Sequence, residues 1–292
     1  MTSGEMVKKE AVLYVVATPI GNILDLSDRA KNILSSVDLV ACEDTRATGK
    51  LFERMARRAP KLVSYHDRSS AGTGEKLVKK ILEEQLTCAL VSDAGTPCIA
   101  DPGFKLVRAA HSSGLRVVPV PGPSALTSFL MSSGLSTDRF LFSGFLPHKV
   151  EAKANEIENW TPALGTVVFY ETATRIQKTF SLVKGAFPAS KIAIGRELTK
   201  TYEQIFIGAP VEALDWLKAL EQSSKLKGEF VCGVSDLSPR LSLDEKMEAI
   251  ESSIDELLAR GLTQKQIMKE MSGCGLVRGD LYSKIIERKR FQ

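Results

Sequence analysis

Between Val12 and Met131, five short runs rich in β-branched residues alternate with five helical patterns. That alternation leaves few choices of fold. The runs fall at Val12–Val16, Leu39–Cys42, 61–65, 88–91 and Arg116–Val120, and the helical stretches at 27–34, 48–56, 75–84, 104–111 and 125–131. Ser27 stands where a helix cap belongs, and Gly114 where a helix stops. In 75–84, Leu77, Val78, Ile81 and Leu82 share one face of a helix. Strands joined through helices run parallel, and near-continuous apolar strands imply a sheet covered on both faces.

The second half changes character. Strands are predicted at Phe140–Phe145, 166–170, 191–197, 202–207 and 230–234, with helices near 150–160, 173–184 and 211–220. The few residues between 191–197 and 202–207 suggest an antiparallel hairpin, so the second sheet is expected to be mixed. From Leu243 the pattern is helical: Leu243–Ala259, 263–271 and Arg278–Arg290, punctuated by Gly261, Gly273 and Gly275. The expected organisation is an α/β domain over 11–122, a second α/β domain over 123–240, and a helical extension over 241–292.

Composition narrows the class. The 292 residues are 43% hydrophobic and 25% charged, which fits a globular chain and excludes wholesale disorder. A formal charge of +4 is too small for bulk coating of nucleic acid, so any RNA would meet a local basic patch. Cys42, Cys88, Cys98, Cys232 and Cys274 form no C-x-x-C pair, and His66, His111 and His148 are scattered, so neither a zinc site nor a disulfide framework is written here. A reducing cytoplasmic setting with thiols as small apolar groups is expected. No run reaches the ~18 apolar residues of a membrane span. Lys8 and Lys9 before an apolar run imitate a signal peptide, but Thr18-Pro19-Ile20-Gly21-Asn22 ends that run as a loop ends a strand.

Three small, polar, glycine-containing loops follow predicted parallel strands: Thr18–Asn22, Ser92–Pro97 and Pro121–Ser124. Parallel α/β sheets bind ligands beyond the carboxyl ends of their strands, and small residues let a ligand reach the backbone. One such loop alone is an ordinary tight turn; three together point to a shared cleft. Ala71-Gly72-Thr73-Gly74-Glu75-Lys76 lacks the spacing of a phosphate loop, no G-x-G-x-x-G follows the first strand, and G-x-S-x-G is missing.

Six segments in order then become diagnostic: Thr18-Pro19-Ile20-Gly21-Asn22, Glu43-Asp44-Thr45-Arg46, Ser92-Asp93-Ala94-Gly95-Thr96-Pro97, Asp101-Pro102-Gly103, 119–125 and Arg196-Glu197-Leu198-Thr199-Lys200. With them the chain resembles the tetrapyrrole methylase superfamily, on the branch that modifies ribosomal RNA, from about Val12 to Val234. The resemblance implies two α/β domains with S-adenosyl-L-methionine between them and a homodimer. It also implies methyl transfer to the ribose 2′-oxygen of a cytidine at the decoding centre of small-subunit (16S) ribosomal RNA. It maps Gly95, Thr96 and Ile99 to the methionine end of the cofactor, Ser124 and Ala125 to the small pair facing it, Pro19 and Ile20 to the first loop, and Tyr170 to the adenosine side. Thr96 replaces the aspartate of tetrapyrrole-modifying relatives, which favours the RNA branch.

Methyl transfer to a ribose hydroxyl requires alignment, exclusion of water and a place for a proton. The candidate groups are Glu43, Asp44, Arg46, Glu171 and Lys200, with Asp44 or Glu43 as proton acceptor and Arg46 as phosphate or ribose contact. The plainer reading of 43–46 is a helix cap with a local ion pair, and of 196–200 a solvated hairpin end. Arg54, Arg57, Arg58 and Lys61, then His148, Lys149 and Lys153, then Arg278, Lys284, Arg288, Lys289 and Arg290 are basic groups available to RNA or simply solvated helix faces. No aromatic–basic ladder accompanies them, so an assembled ribosomal particle is the expected substrate. The rival readings are a precorrin-type carbon methyltransferase and a non-catalytic RNA-binding factor on the same fold. Trp160 and Trp216 read as core anchors.

Overall fold

The computed structural model describes residues 10–66, 72–238, 243–271 and 278–290. Residues 8, 9, 69–71 and 273–275, including Cys274, lie outside them. The chain forms two compact units, 1–238 and 239–292.

The first sheet holds β1 (Val12–Val16), β2 (Leu39–Cys42), β3 (Lys61–Ser64), β4 (Thr87–Val91) and β5 (Arg116–Val120). Their order is β3-β2-β4-β1-β5, and every pairing is parallel. Side chains alternate across a strand, so β2 sends Leu39 and Ala41 to one face and Val40 and Cys42 to the other. The first face packs on α3 (Thr73–Glu83) and α4 (Phe104–Ser112) through Leu77, Ile81 and Leu106. The second packs on α1 (Asp28–Ser36) and α2 (Thr45–Arg54) through Leu34 and Phe52. Burial of such a side chain contributes about 1.5–3 kcal/mol. Both faces are covered, which is why the central strands β1, β2 and β4 read as nearly continuous apolar runs.

Ser27 caps α1 as expected, its hydroxyl accepting from the Ala30 N–H at 3.1 Å. Helix α2 begins at Thr45 rather than at residue 48, because Asp44 caps it by accepting from the Arg46 N–H at 2.8 Å.

The second sheet holds β6 (Phe140–Phe145), β7 (Thr166–Thr172), β8 (Lys191–Arg196), β9 (Gln204–Gly208) and β10 (Glu229–Ser235), ordered β6-β7-β10-β8-β9. Only β6–β7 is parallel; β8–β9 is the expected antiparallel hairpin. Helix α5 (Ala125–Ser133) covers one face with Phe129 and Leu130 on Val168, Ala193 and Val231. On the other face α6 (Val150–Glu158), α7 (Ile176–Ala186) and α8 (Pro210–Gln222) bury Ile157, Phe180 and Leu217. Trp160 stacks on Phe187 at 6.3 Å and Trp216 on Phe206 at 5.3 Å, so both tryptophans anchor packing.

This core carries a charged knot. Lys153 Nζ donates to Glu171 Oε2 at 2.8 Å and to Thr179 Oγ1 at 2.7 Å, and the Thr179 hydroxyl donates to the same carboxylate oxygen at 2.7 Å. Lys153 is therefore not the surface cation expected from sequence: its apolar stem and paired head are buried in the α6–β7–α7 layer.

In the second unit, α9 (Leu243–Ala259), α10 (Gln264–Glu270) and α11 (Arg278–Arg290) pack around Ile254, Ile267 and Ile285. Lys284 donates to Glu251 at 2.6 Å, and Arg288 Nε to Asp255 at 2.9 Å. These two cations are engaged within the module, which corrects their reading as open RNA contacts. Cys42, Cys88 and Cys232 are buried, and burial pushes the Cys88 thiol up to about 12. No helix among the described residues is long and apolar enough to cross a membrane.

Candidate active site

The carboxyl ends of β1, β4 and β5 bring the three loops together. Thr18 and Gly95 form an antiparallel bridge, with N–H to carbonyl distances of 2.8 and 3.0 Å. The Thr18 hydroxyl donates to the Ser92 carbonyl at 3.2 Å, and the Thr96 hydroxyl donates to the Pro123 carbonyl at 3.0 Å. Gly95 has φ +85°, a conformation that side chains disfavour, and a Cβ there would stand 3.3 Å from Ile20. Gly21 is small for another reason: a Cβ would meet Lys200 Cγ at 2.4 Å and the Leu198 carbonyl at 3.3 Å. The first loop thus abuts the turn after β8, from the other sheet.

Between these loops and the ends of β7 and β10 lies a cavity of about 410 Å³. That is within the size range of small-molecule sites. Of the residues expected to hold a cofactor, Ile20, Gly95, Thr96, Ile99, Ser124, Ala125 and Tyr170 all line it; Pro19 is half-buried beside it and does not. Tyr170 stands edge-on to Phe142 at 5.0 Å and to Phe145 at 5.5 Å, which fixes its ring. Burial first, and the nearby Asp101 charge second, push its hydroxyl up to about 12, so it stays neutral.

The expected catalytic residues divide. Glu43 lines the cavity. Asp44 and Arg46 do not: Asp44 caps α2 and accepts from Arg46 Nε at 3.2 Å and Nη2 at 2.8 Å. The side-chain hydrogen bond from Arg46 holds the Asp44 carboxyl at about 2, which makes it a poor proton acceptor. Lys200 also lies off the wall, its ammonium donating to Glu197 and Glu229, each at 2.9 Å. Glu229 itself lines the cavity. Arg196, in the same segment, is a buried clamp donating to the Lys225 and Lys227 carbonyls and to Gln204.

Sequence reasoning missed Asp93, Asp101, Phe145 and Glu229 on the cavity wall. Asp93 and Asp101 were within reach, since they flank Gly95-Thr96 on one loop. Phe145 and Glu229 come from β6 and β10, and only the register of the second sheet brings them in. Burial, more than any other cause, raises the Asp101 carboxyl to about 6, opposed by a hydrogen bond with Ser92 and supported by the charges of Glu43, Asp93 and Glu229. No metal-binding cluster occurs among the described residues. A wall of small and apolar groups with an acidic rim suits a medium-sized, positively charged organic ligand.

Comparison with known proteins places this geometry. Residues 12–214 match the family model described as Tetrapyrrole (Corrin/Porphyrin) Methylases. The ribosomal RNA small subunit methyltransferase I of Halalkalibacterium halodurans is 36% identical over 94% of this chain and 94% of its own length. The protein of that name from Escherichia coli O157:H7 is 43% identical over 75% of this chain and 76% of its own. Among solved structures, the methyltransferase CobJ superposes with a TM-score of 0.57 at 13% identity, covering 80% of this chain and 97% of that one. The uroporphyrin-III C-methyl transferase of Thermus thermophilus complexed with S-adenyl homocysteine gives 0.51 at 14% identity, covering 77% and 97%. The two structures share the fold, and the sequence relatives align over 75–94% of this chain, which belongs to the tetrapyrrole methylase family, in the company of the ribosomal RNA small subunit methyltransferase I proteins.

Proposed function

We propose that this chain transfers a methyl group from S-adenosyl-L-methionine to the ribose 2′-oxygen of a cytidine in small-subunit (16S) ribosomal RNA. One observation carries the reading: three loops, more than 100 residues apart in sequence at their extremes, are hydrogen-bonded into one wall of one cavity. When bound, the cofactor supplies an electrophilic methyl group on a sulfonium. The residues present fit it. Gly95, Ser124 and Ala125 leave room against the backbone, Ile99 offers apolar surface at the methionine end, Tyr170 offers it on the adenosine side with Ile20 of the first loop also on the wall, and the acidic rim favours a cation. The chain's work is to align donor and hydroxyl, keep water out and receive one proton.

Arg46, 87% exposed beside the rim, is suited to a ribose or phosphate contact, with Asp44 orienting it. Lys200 holds Glu229 against the wall. Arg54, Arg57, Arg58 and Lys61 are exposed at the opposite end of the sheet from the cavity, so an acceptor reaching both must be large. That supports an assembled small ribosomal subunit as the substrate and the cytoplasm as the place of action. Met131, Ile205 and Ile207 are exposed apolar groups on α5 and β9 and support a homodimer. The working organisation is the two α/β domains 11–122 and 123–240 with the helical module 241–292.

A tetrapyrrole acceptor is not favoured, because tetrapyrrole enzymes resemble this chain in fold at 13–17% identity, whereas the relatives at 36–43% carry the ribosomal RNA name. The test is transfer of labelled methyl to small ribosomal subunits lacking this modification, followed by mapping of the modified nucleotide. Labelling of a precorrin instead, or no labelling of the subunit, refutes the proposal.

A further inference from the structure

We infer that Asp101 is the catalytic base, the group that takes the proton of the ribose hydroxyl as the new O–C bond forms. This rests on the methyl-transfer reading above and deepens it.

The wall of the cavity carries five carboxylates; three have other commitments and a fourth is exposed at the rim. Asp93 accepts the backbone N–H of Asp44 at 3.1 Å. Glu171 is sealed in the core with Lys153 and Thr179. Glu229 pairs with Lys200 and is 81% exposed. Glu43 is exposed at the rim. Asp101 is half-buried, it lines the cavity, and its one identified side-chain hydrogen-bond partner is the neutral Ser92 hydroxyl.

Asp101 stands five residues beyond Thr96 on the same loop, and that loop is tied to Thr18 and Pro123 through Gly95 and Thr96. Around Asp101 stand Glu43 from the loop after β2, Asp93 from the loop after β4, Glu229 from β10 and the neutral Tyr170 from β7. Burial and three neighbouring acids raise its proton affinity to that of a base suited to neutral solution.

The step balances without a further reactant. The hydroxyl oxygen gives an electron pair to the methyl carbon, the C–S bond breaks with its pair remaining on sulfur, and the O–H proton passes to Asp101. The resulting carboxylic acid returns that proton to water when the cavity opens.

The experiment uses the full chain and Asp101→Asn, which keeps shape and removes basicity. Calorimetry with S-adenosylmethionine should show that the variant still binds the cofactor, weakened by no more than about tenfold through the loss of one rim charge, while single-turnover transfer to small ribosomal subunits at saturating cofactor falls by about 10²–10⁴-fold. Wild-type transfer should rise with pH and level off at or below about 6, since a bound sulfonium lowers the carboxyl from its cofactor-free value, and the asparagine variant should lack this limb. Carboxyl ¹³C resonances of the cofactor-free protein should include one titrating near 6 that Asp101→Asn removes. Asp101→Glu should restore part of the rate. Transfer by Asp101→Asn within threefold of wild type refutes the assignment. So does loss of cofactor binding, which makes Asp101 a cofactor contact, or an Asp101 titration at the ordinary value near 4. Failure of the wild-type chain itself to bind the cofactor or label the subunit would instead sink the underlying reading.

Discussion

Replacing Lys153 by methionine keeps its unbranched apolar stem, one atom shorter, and deletes its charge. In the native protein that ammonium and the Glu171 carboxylate it meets at 2.8 Å are 5% and 0% exposed. The variant strands the carboxylate with the Thr179 hydroxyl at 2.7 Å, the Thr172 N–H at 2.9 Å and the Arg175 guanidinium, whose Nε lies 3.1 Å away. Removing one partner of a buried pair costs about 3–5 kcal/mol. Arg175 is still present, so the lower end, about 3 kcal/mol, is expected. With a urea slope of about 1–3 kcal/mol per molar, the unfolding midpoint should fall by about 1 M or more. The double variant Lys153→Met/Glu171→Gln removes the stranded charge and should be no less stable than Lys153→Met alone. Urea unfolding followed by circular dichroism measures both. A midpoint shift under about 0.3 M, or a double variant whose loss equals the sum of the two single losses, refutes the view that the charge is buried and coupled.

Two further outcomes follow from the cavity and its seam. Ser124→Leu should place about three extra carbons in the space beside Ala125, cutting S-adenosylmethionine affinity by at least tenfold in calorimetry while leaving the circular dichroism spectrum unchanged; wild-type affinity would put the ligand elsewhere. Gly21→Val should drive a side chain into Lys200 Cγ and the Leu198 carbonyl, lowering stability by about 1–3 kcal/mol and weakening cofactor binding, with Gly21→Ala milder; a neutral valine variant would show that the two sheets are not held this closely.

The first sheet was legible because its central strands β1, β2 and β4 are apolar almost throughout, a pattern that follows from two covered faces, and because each loop is small. The hairpin β8–β9 was legible from its short connection. The start of α2 was missed by three residues, because periodicity sees apolar positions while the helix begins at its polar cap, Asp44. Lys153 could not be read as buried, since its partners Glu171 and Thr179 lie 18 and 26 residues away and only the α6–β7–α7 packing unites them. In the site, the small residues of the three loops were visible as motifs. Glu229 and Phe145 carry no local signal, and it is the pairing of β10 with β7 and of β6 with β7 that delivers them to the cavity.

The bridge between Thr18 and Gly95, with the link from Thr96 to Pro123, couples three distant stretches of chain into a single rigid body. A lesion in one is transmitted to the other two, so paired substitutions across the ties should be non-additive. Divergence toward a new acceptor would have to leave that body intact and work through residues outside it, such as Phe145 of β6, which also lines the cavity. One scaffold can in this way keep its donor while exchanging what it modifies.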